Sequence, residues 1–237
     1  KLATLGQLAA GVVHELNNPL TSISVYSDYL LAKYERAGKQ DGDAEKVRRI
    51  VRSTQRILRF TRDLVAYARP STEAPRPASI NRIAEQALMF CDHVINEHGA
   101  KVTLTLVPDL PDALVVPEQI QQVLINLITN ACHATPHNRG KLHIETARAS
   151  RGGVAVTIKD NGSGISRAMQ SQIFEPFFST KRDGSGTGLG LSIVRNIVHQ
   201  HGGTIDVDSD EGHGTCFRIE LPLRPPRNRR LSIDRLP

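Results

Sequence analysis

The stretch Val156-Thr157-Ile158-Lys159-Asp160-Asn161-Gly162-Ser163-Gly164-Ile165 reads as a strand that ends in a carboxylate and runs into two glycines two residues apart. A buried aspartate there can accept a hydrogen bond from the exocyclic amine of adenine, and the glycines let the backbone approach the ring. Alone, Asp-x-Gly-x-Gly is a weak pattern, because turns between strands produce it by chance. Its neighbours on either side carry the decision.

Upstream lies Asn126-Leu127-Ile128-Thr129-Asn130-Ala131, on a strongly apolar helix expected at about 117–135. Asn126 and Asn130 are four apart and share one helix face, while Val123, Leu124, Leu127 and Ile128 face the core. Paired asparagines can be local hydrogen-bonding groups, and an amide oxygen is also a hard ligand suited to Mg²⁺. Downstream comes Phe174-Glu175-Pro176-Phe177-Phe178-Ser179-Thr180-Lys181, with three of the chain's six phenylalanines inside five residues. Core packing explains such a cluster as readily as function. Next is Gly186-Thr187-Gly188-Leu189-Gly190-Leu191, three glycines opening a helix near 188–201. Free backbone N–H groups at a helix N-terminus suit a triphosphate. No Lys-Ser/Thr follows and no strand precedes, so this is neither a Walker A loop nor a dinucleotide fingerprint.

Strands are expected near 102–106, 141–148, 153–159, 204–209 and 214–221, with a helix at about 80–98. Helices on one face of a mixed sheet make an α+β layer arrangement. In order and spacing, the four segments resemble the asparagine, glycine and phenylalanine boxes of the ATP-binding fold shared by histidine kinases, DNA gyrase, heat-shock chaperones and mismatch-repair ATPases. Gly212-His213-Gly214-Thr215-Cys216-Phe217 resembles that family's terminal strand pair. The resemblance implies that Asn130 holds Mg²⁺, that Asn126 supports the phosphates, and that Asp160 reads adenine in a pocket shaped by Gly162, Gly164 and Ile165. It implies a mobile lid from about 166 to 187, including Phe174 and Lys181, with Gly186, Thr187, Gly188, Leu189, Gly190 and Leu191 at its phosphate end. Two places depart from the pattern. His133 stands where a basic residue often contacts phosphate, and Val116 stands where an aspartate often precedes the helix.

The first seventy residues are of another kind. Leu2, Ala9, Leu16, Ile23 and Leu30 recur every seven residues, and Leu5, Val12, Pro19 and Tyr26 supply the second seam position. After a polar break at Gly38 to Gly42, a second helix opens near Asp43. Its seam reads Val47, Ile50, Thr54, Ile57, Thr61, Leu64 and Ala68, widened by Val51, Leu58 and Val65. A lone hairpin cannot bury so wide a stripe, whereas two hairpins pairing as a four-helix bundle can, so a homodimer is expected. His14, in His14-Glu15-Leu16-Asn17-Asn18-Pro19, faces away from the seam. Asn18 lies one turn on, and Pro19 kinks the helix beyond the pair.

This hairpin resembles the dimerisation and histidine-phosphotransfer domain of bacterial sensor histidine kinases. The resemblance implies autophosphorylation of His14 from ATP, with Glu15 orienting the imidazole, then transfer to an aspartate of a response-regulator receiver domain. Asn18 matches the position that orients water for dephosphorylating the regulator. The expected division is 1–70 helical hairpin, 71–79 linker, 80–222 ATP-binding domain and 223–237 basic tail. The linker, with Pro70, Pro75 and Pro77, reads as a segment that neither helix nor sheet absorbs. Two rivals stand beside this reading: a degenerate kinase serving as a nucleotide-gated scaffold, and a serine kinase or chaperone-type ATPase on the same fold.

Composition narrows the field further. The formal charge of +6 is concentrated in the last fourteen residues, where Arg224, Arg227, Arg229, Arg230 and Arg235 face only Asp234. Little charge remains elsewhere, and four per cent aromatics leave few stacking platforms, so nucleic acid is not the expected partner. The arginines at 48, 49, 52, 56, 59 and 62 read as a solvated face. Three scattered cysteines point to a reducing, cytoplasmic setting without a zinc site, and no apolar run is long enough to contact a membrane by spanning it.

Overall fold

The computed structural model describes residues 19–34, 36, 42–68, 73–150, 152–179 and 187–224. They fall into two compact units, one holding the N-terminal helices with residues 175–193, the other holding 72–174 and the chain from 194.

In the first unit, helix α1 covers 19–34 and α2 covers Gly42–Ala68. Asp43 and Glu45 sit in the first turn of α2, where carboxylates favour the helix dipole. Lys46 stands 2.8 Å from Asp43, and its hydrogen bond and charge hold that carboxyl below its ordinary value. The apolar stripe of α2 divides in two. Ala44, Val47, Val51, Thr54 and Thr61 are buried, and the Thr54 and Thr61 hydroxyls donate to Ile50 O and Leu58 O. Ile50, Ile57 and Phe60 remain exposed, as do Ile23, Tyr26 and Leu30 on α1. The sequence-based seam merged these sets: Val47, Thr54 and Thr61 belong to the buried stripe, Ile50 and Ile57 to the exposed one. Side chains at 56, 59 and 62–68, including seam positions Leu64 and Ala68, lie outside the described residues.

The second unit begins with β1 (Arg76–Ala78), inside the stretch expected to be linker. It pairs antiparallel with β3 (Ala113–Val115), Pro77 opposite Leu114. A proline is tolerated because this two-stranded ribbon leaves a strand edge where no N–H is needed. Helix α3 (Ile80–His98) is capped by the Ser79 hydroxyl and closed by Gly99 in the left-handed conformation. Strand β2 (Lys101–Thr105), helix α4 (Pro117–Ala134), β4 (Lys141–Arg148), β5 (Gly153–Asp160), the short α5 (Arg167–Gln170), α6 (Gly190–Gln200), β6 (Thr204–Asp210) and β7 (Gly214–Pro222) follow. The sheet order is β2-β4-β5-β7-β6, with β2 parallel to β4 and every other pair antiparallel.

One sheet face carries Leu142, Ile144, Ile158, Phe217 and Ile219 into the core, and α4 packs against β4, β5 and β7. The other face presents Glu145, Lys159, Arg218 and Asp206 to water. That is the alternation expected of a sheet covered on one side. Val116, the N-cap of α4, has no side chain able to cap. Its own N–H is given instead to Nε2 of buried His201 at 3.0 Å, while Nδ1 of the same ring bonds Ile197 O at 2.8 Å. The neutral ring with its proton on Nδ1 satisfies both contacts. Among the described residues, no helix is long and apolar enough to cross a membrane.

Candidate functional site

Asp160 closes β5 and points to the covered face of the sheet, where only 5 % of it is exposed. Its Oδ1 accepts two backbone hydrogen bonds, from Gly162 N at 2.7 Å and from Thr215 N, on the adjoining strand β7, at 3.2 Å. Burial pushes this carboxyl above the ordinary aspartate value, and the two N–H groups partly offset that rise. With Oδ1 doubly engaged, Oδ2 is the oxygen left for an incoming donor.

The loop after Asp160 is fixed at nearly every step. Asn161 accepts from Lys141 N and donates to Arg139 O, tying the loop to the start of β4. Ser163 N donates to Ala134 O at 3.0 Å, which brings the loop to the C-terminal end of α4. Gly164 has φ +68°, and a Cβ there would collide with the Asp210 carbonyl, so the position requires glycine. Ile165 N donates to the Ser209 hydroxyl at 2.8 Å.

Asn126, Asn130 and His133 follow one another along α4. Both asparagines are half-buried, and neither side-chain amide has a protein partner among the described residues. Two amide oxygens one turn apart on one helix face are a donor set that fits a hydrated Mg²⁺ with its phosphates. His133 is exposed, edge-on to His98 at 5.2 Å between ring centroids. The Cys132 thiol is pushed up to about 11, chiefly by burial and further by the charge of Asp160, so it remains a neutral core group.

Phe174 belongs to the core. It lies edge-on to Phe217, with the Arg195 guanidinium 5.7 Å from its ring centroid. In the other unit, Phe177 adopts φ +68°, unusual for a bulky side chain, and its N–H bonds Gly188 O at 2.9 Å. Gly188 is also left-handed, and a Cβ there would press on the Phe177 backbone. The Thr187 hydroxyl accepts from Leu189 N, Leu189 is fully buried, and Leu191 is half-buried. The Leu189 carbonyl accepts from Ile193 N and from the Ser192 hydroxyl, so its backbone as well as its side chain is engaged within the chain. Among the described residues, nothing crowds the space beside Gly190.

His14, Glu15, Asn18, Lys181 and Gly186 lie outside the described residues. Sequence reading missed Thr215 as a partner of Asp160, although it had singled out the stretch containing it. It also missed Ser209 and Gln170, which belong to no motif. A separate cleft opens between the N-terminal ends of α3 and α4, lined by Arg76, Asn81, Arg82, Asp112 and Glu118 among others. It contains none of the candidate nucleotide residues. Among the described residues, no group of three His, Cys, Asp or Glu side chains could hold a metal ion.

Comparison with known proteins supplies the family. Residues 115–225 match the model for the histidine kinase-, DNA gyrase B- and HSP90-like ATPases, and residues 4–73 match the phospho-acceptor domain of His kinase A. Sensor histidine kinase ZraS of Escherichia coli K12 is 36 % identical over 228 residues, covering 96 % of this chain and 47 % of ZraS. The chain thus spans about half the length of this relative. The catalytic domain of histidine kinase ThkA is 32 % identical, covers 65 % of this chain and 98 % of that one, and superposes with a TM-score of 0.57. ThkA in complex with response regulator protein TrrA is 25 % identical, with a TM-score of 0.67 over 94 % of this chain and 63 % of that one.

Proposed function

The chain belongs to the sensor histidine kinases, and from that premise we propose that it binds ATP through Asp160 and phosphorylates itself on His14. One observation carries the nucleotide half of this reading: a buried carboxylate whose Oδ1 is held by two backbone N–H groups while Oδ2 stays free. Such a group accepts from an exocyclic amine without having to reorient.

Asn126 and Asn130 hold the phosphates and Mg²⁺, which when bound offsets negative charge on the transferring group. Thr187, Gly188 and Gly190 are assigned to the phosphate end, and Lys181 to the lid. A nitrogen of His14 attacks the γ-phosphorus, the bond to the ADP oxygen breaks, and the proton on the opposite ring nitrogen passes to Glu15. Imidazole suits this role because much of it is unprotonated near neutral pH. The phosphoryl group then moves to an aspartate of a response-regulator receiver domain. Asn18 holds the water that later removes it, so the same protein is also a phosphatase. This partner has a parallel in the ThkA–TrrA complex. In this reading the hairpin takes residues 1–70 and the ATP-binding domain 80–222, with β1 added to the latter.

The exposed Ile23, Tyr26, Leu30, Ile50, Ile57 and Phe60 support a homodimer, since a second hairpin would cover them. The test is His14→Ala. It should abolish incorporation of labelled phosphate while leaving ATP affinity within about threefold, because acceptor and nucleotide groups lie on different domains. Acid-labile, base-stable phosphate on the parent protein completes the result. Phosphate persisting on His14→Ala, or resisting acid, would move the acceptor to another side chain. A scaffold without transfer would show nucleotide binding and no label at all.

A further inference from the structure

Gln170, the last residue of α5, is 39 positions from Ser209 in sequence, yet its side-chain amide reaches the end of β6. The Nε2 group donates one hydrogen to Ile165 O at 3.0 Å and the other to Ser209 O at 2.7 Å. Both ends of this bridge are already committed to the surroundings of Asp160. Ile165 N donates to the Ser209 hydroxyl, which itself donates to Gly214 O at 2.8 Å. Because that proton is used, the Thr215 hydroxyl, 3.1 Å away, is the donor in its contact with Ser209 Oγ. Thr215 N is in turn one of the two donors on Asp160 Oδ1. A continuous chain of hydrogen bonds therefore runs from the base-reading carboxylate through Thr215 and Ser209 to Gln170. Ser209 and Thr215 are buried, so no water replaces a lost link cheaply.

We propose that Gln170 is a positioning residue for the nucleotide, its amide clamping the exit of the Asp160 loop onto the β6–β7 hairpin so that Thr215 stays aligned on Asp160. The clamp needs two donors on one planar nitrogen between two carbonyl oxygens. Glutamine supplies that arrangement. A carboxylate of the same shape would face both carbonyls as a repelling acceptor, and on protonation it could donate once.

That chemistry defines the experiment, which rests on Asp160 being the base reader. In the full 237-residue chain, affinity for a fluorescent ADP analogue is measured for the parent, Gln170→Glu, Gln170→Met and Asp160→Asn between pH 8 and pH 5.5, with nucleotide-free melting temperatures alongside. Gln170→Glu should bind about tenfold more weakly than the parent at pH 8, the ratio narrowing to about threefold at pH 5.5 as the new carboxyl protonates and recovers one bond. Gln170→Met should be weakened by a ratio that does not move with pH, and both melting temperatures should stay near that of the parent. Parent-like affinity in Gln170→Glu, a ratio flat across pH, or a loss matched by a fall in melting temperature would overturn the proposal. Asp160→Asn separates the two ideas. If it too binds like the parent, the base-reading assignment fails and the clamp falls with it; if it alone loses affinity, only the clamp fails.

Discussion

Ile57 on α2 and Ile158 on β5 are the same side chain in opposite circumstances: 43 % of the first is open to water, against 1 % of the second. Ile158 meets neighbours supplied by its own chain, Ile144 on one adjoining strand and Phe217 on the other. Ile57 belongs to a set repeating at seven and ten residues from Ile50, with nothing in the described residues to cover it. The sheet unit finishes its own core, whereas the helical unit carries a stripe that no described residue covers. Removing a methyl from an interior like that of Ile158 leaves a cavity. An apolar row such as that at Ile57 instead marks a surface for association.

Perturbing each region should therefore produce different losses, and the largest belongs to the sheet unit. Asp160→Asn should weaken ATP binding by ten- to a hundred-fold, the equivalent of about 1.5–3 kcal/mol for a charged hydrogen bond, measured by titration with the dimer intact. Its effect on folding runs the other way. Burial raises the Asp160 carboxyl in the folded state, so its contribution favours folding at low pH and is lost as pH rises through the folded value. Taking the charge away should leave the melting temperature at pH 7–8 equal to or above that of the parent, a gain that shrinks as the pH falls through the folded value. A fall in stability at neutral pH would show the ionised carboxylate to be structural.

The next effect belongs to the helices. Ile50→Glu with Ile57→Glu should weaken the dimer at least tenfold by sedimentation, since two charges would be buried without partners. Nucleotide affinity should hold within about twofold. A parent-like dimer would place the interface elsewhere, and a loss of nucleotide binding would erase the independence of the two regions. The smallest change is Asn18→Ala. Stability should move by less than about 0.5 kcal/mol. Labelling of His14 by ATP should stay near normal while phosphate leaves the regulator markedly more slowly. Equal loss of both activities would make Asn18 structural.

The same contrast explains what could be read from the sequence. Long, periodic segments were legible: α3, α4 and the strands β4 to β7 were expected within about two residues of where they lie. Asp160 and its two glycines stood out because chemistry and backbone constraint coincide there. The strands β1 and β3 are three residues each, too short to show a period, and Pro77 argued against the first. The seam of α2 was blurred because one helix carries two apolar stripes, and a heptad count cannot say which stripe the chain covers itself. Thr215, Ser209 and Gln170 are linked through backbone groups, two hydroxyls and one side-chain amide. Their partners lie 55 positions away for Thr215 and 39 for Gln170, and no local pattern encodes such pairs. Phe174, conspicuous in the sequence, proved to be packing.

The strand order β2-β4-β5-β7-β6 also has a consequence for how the protein is made. As the chain leaves the ribosome, β5 can pair on one edge with β4 as soon as both have emerged. Its other edge waits for β7, whose first contact with it joins Lys159 to Cys216. Until then the middle of the future sheet is an open border, with Val154, Val156 and Ile158 half-covered and one row of peptide groups unsatisfied. The second donor to Asp160 arrives only with Thr215, on that same late strand. Translation must therefore run almost to the end of the sheet before Asp160 has both of its backbone donors, and a nascent chain stalled between β5 and β7 is the species most exposed to aggregation or to capture by a chaperone.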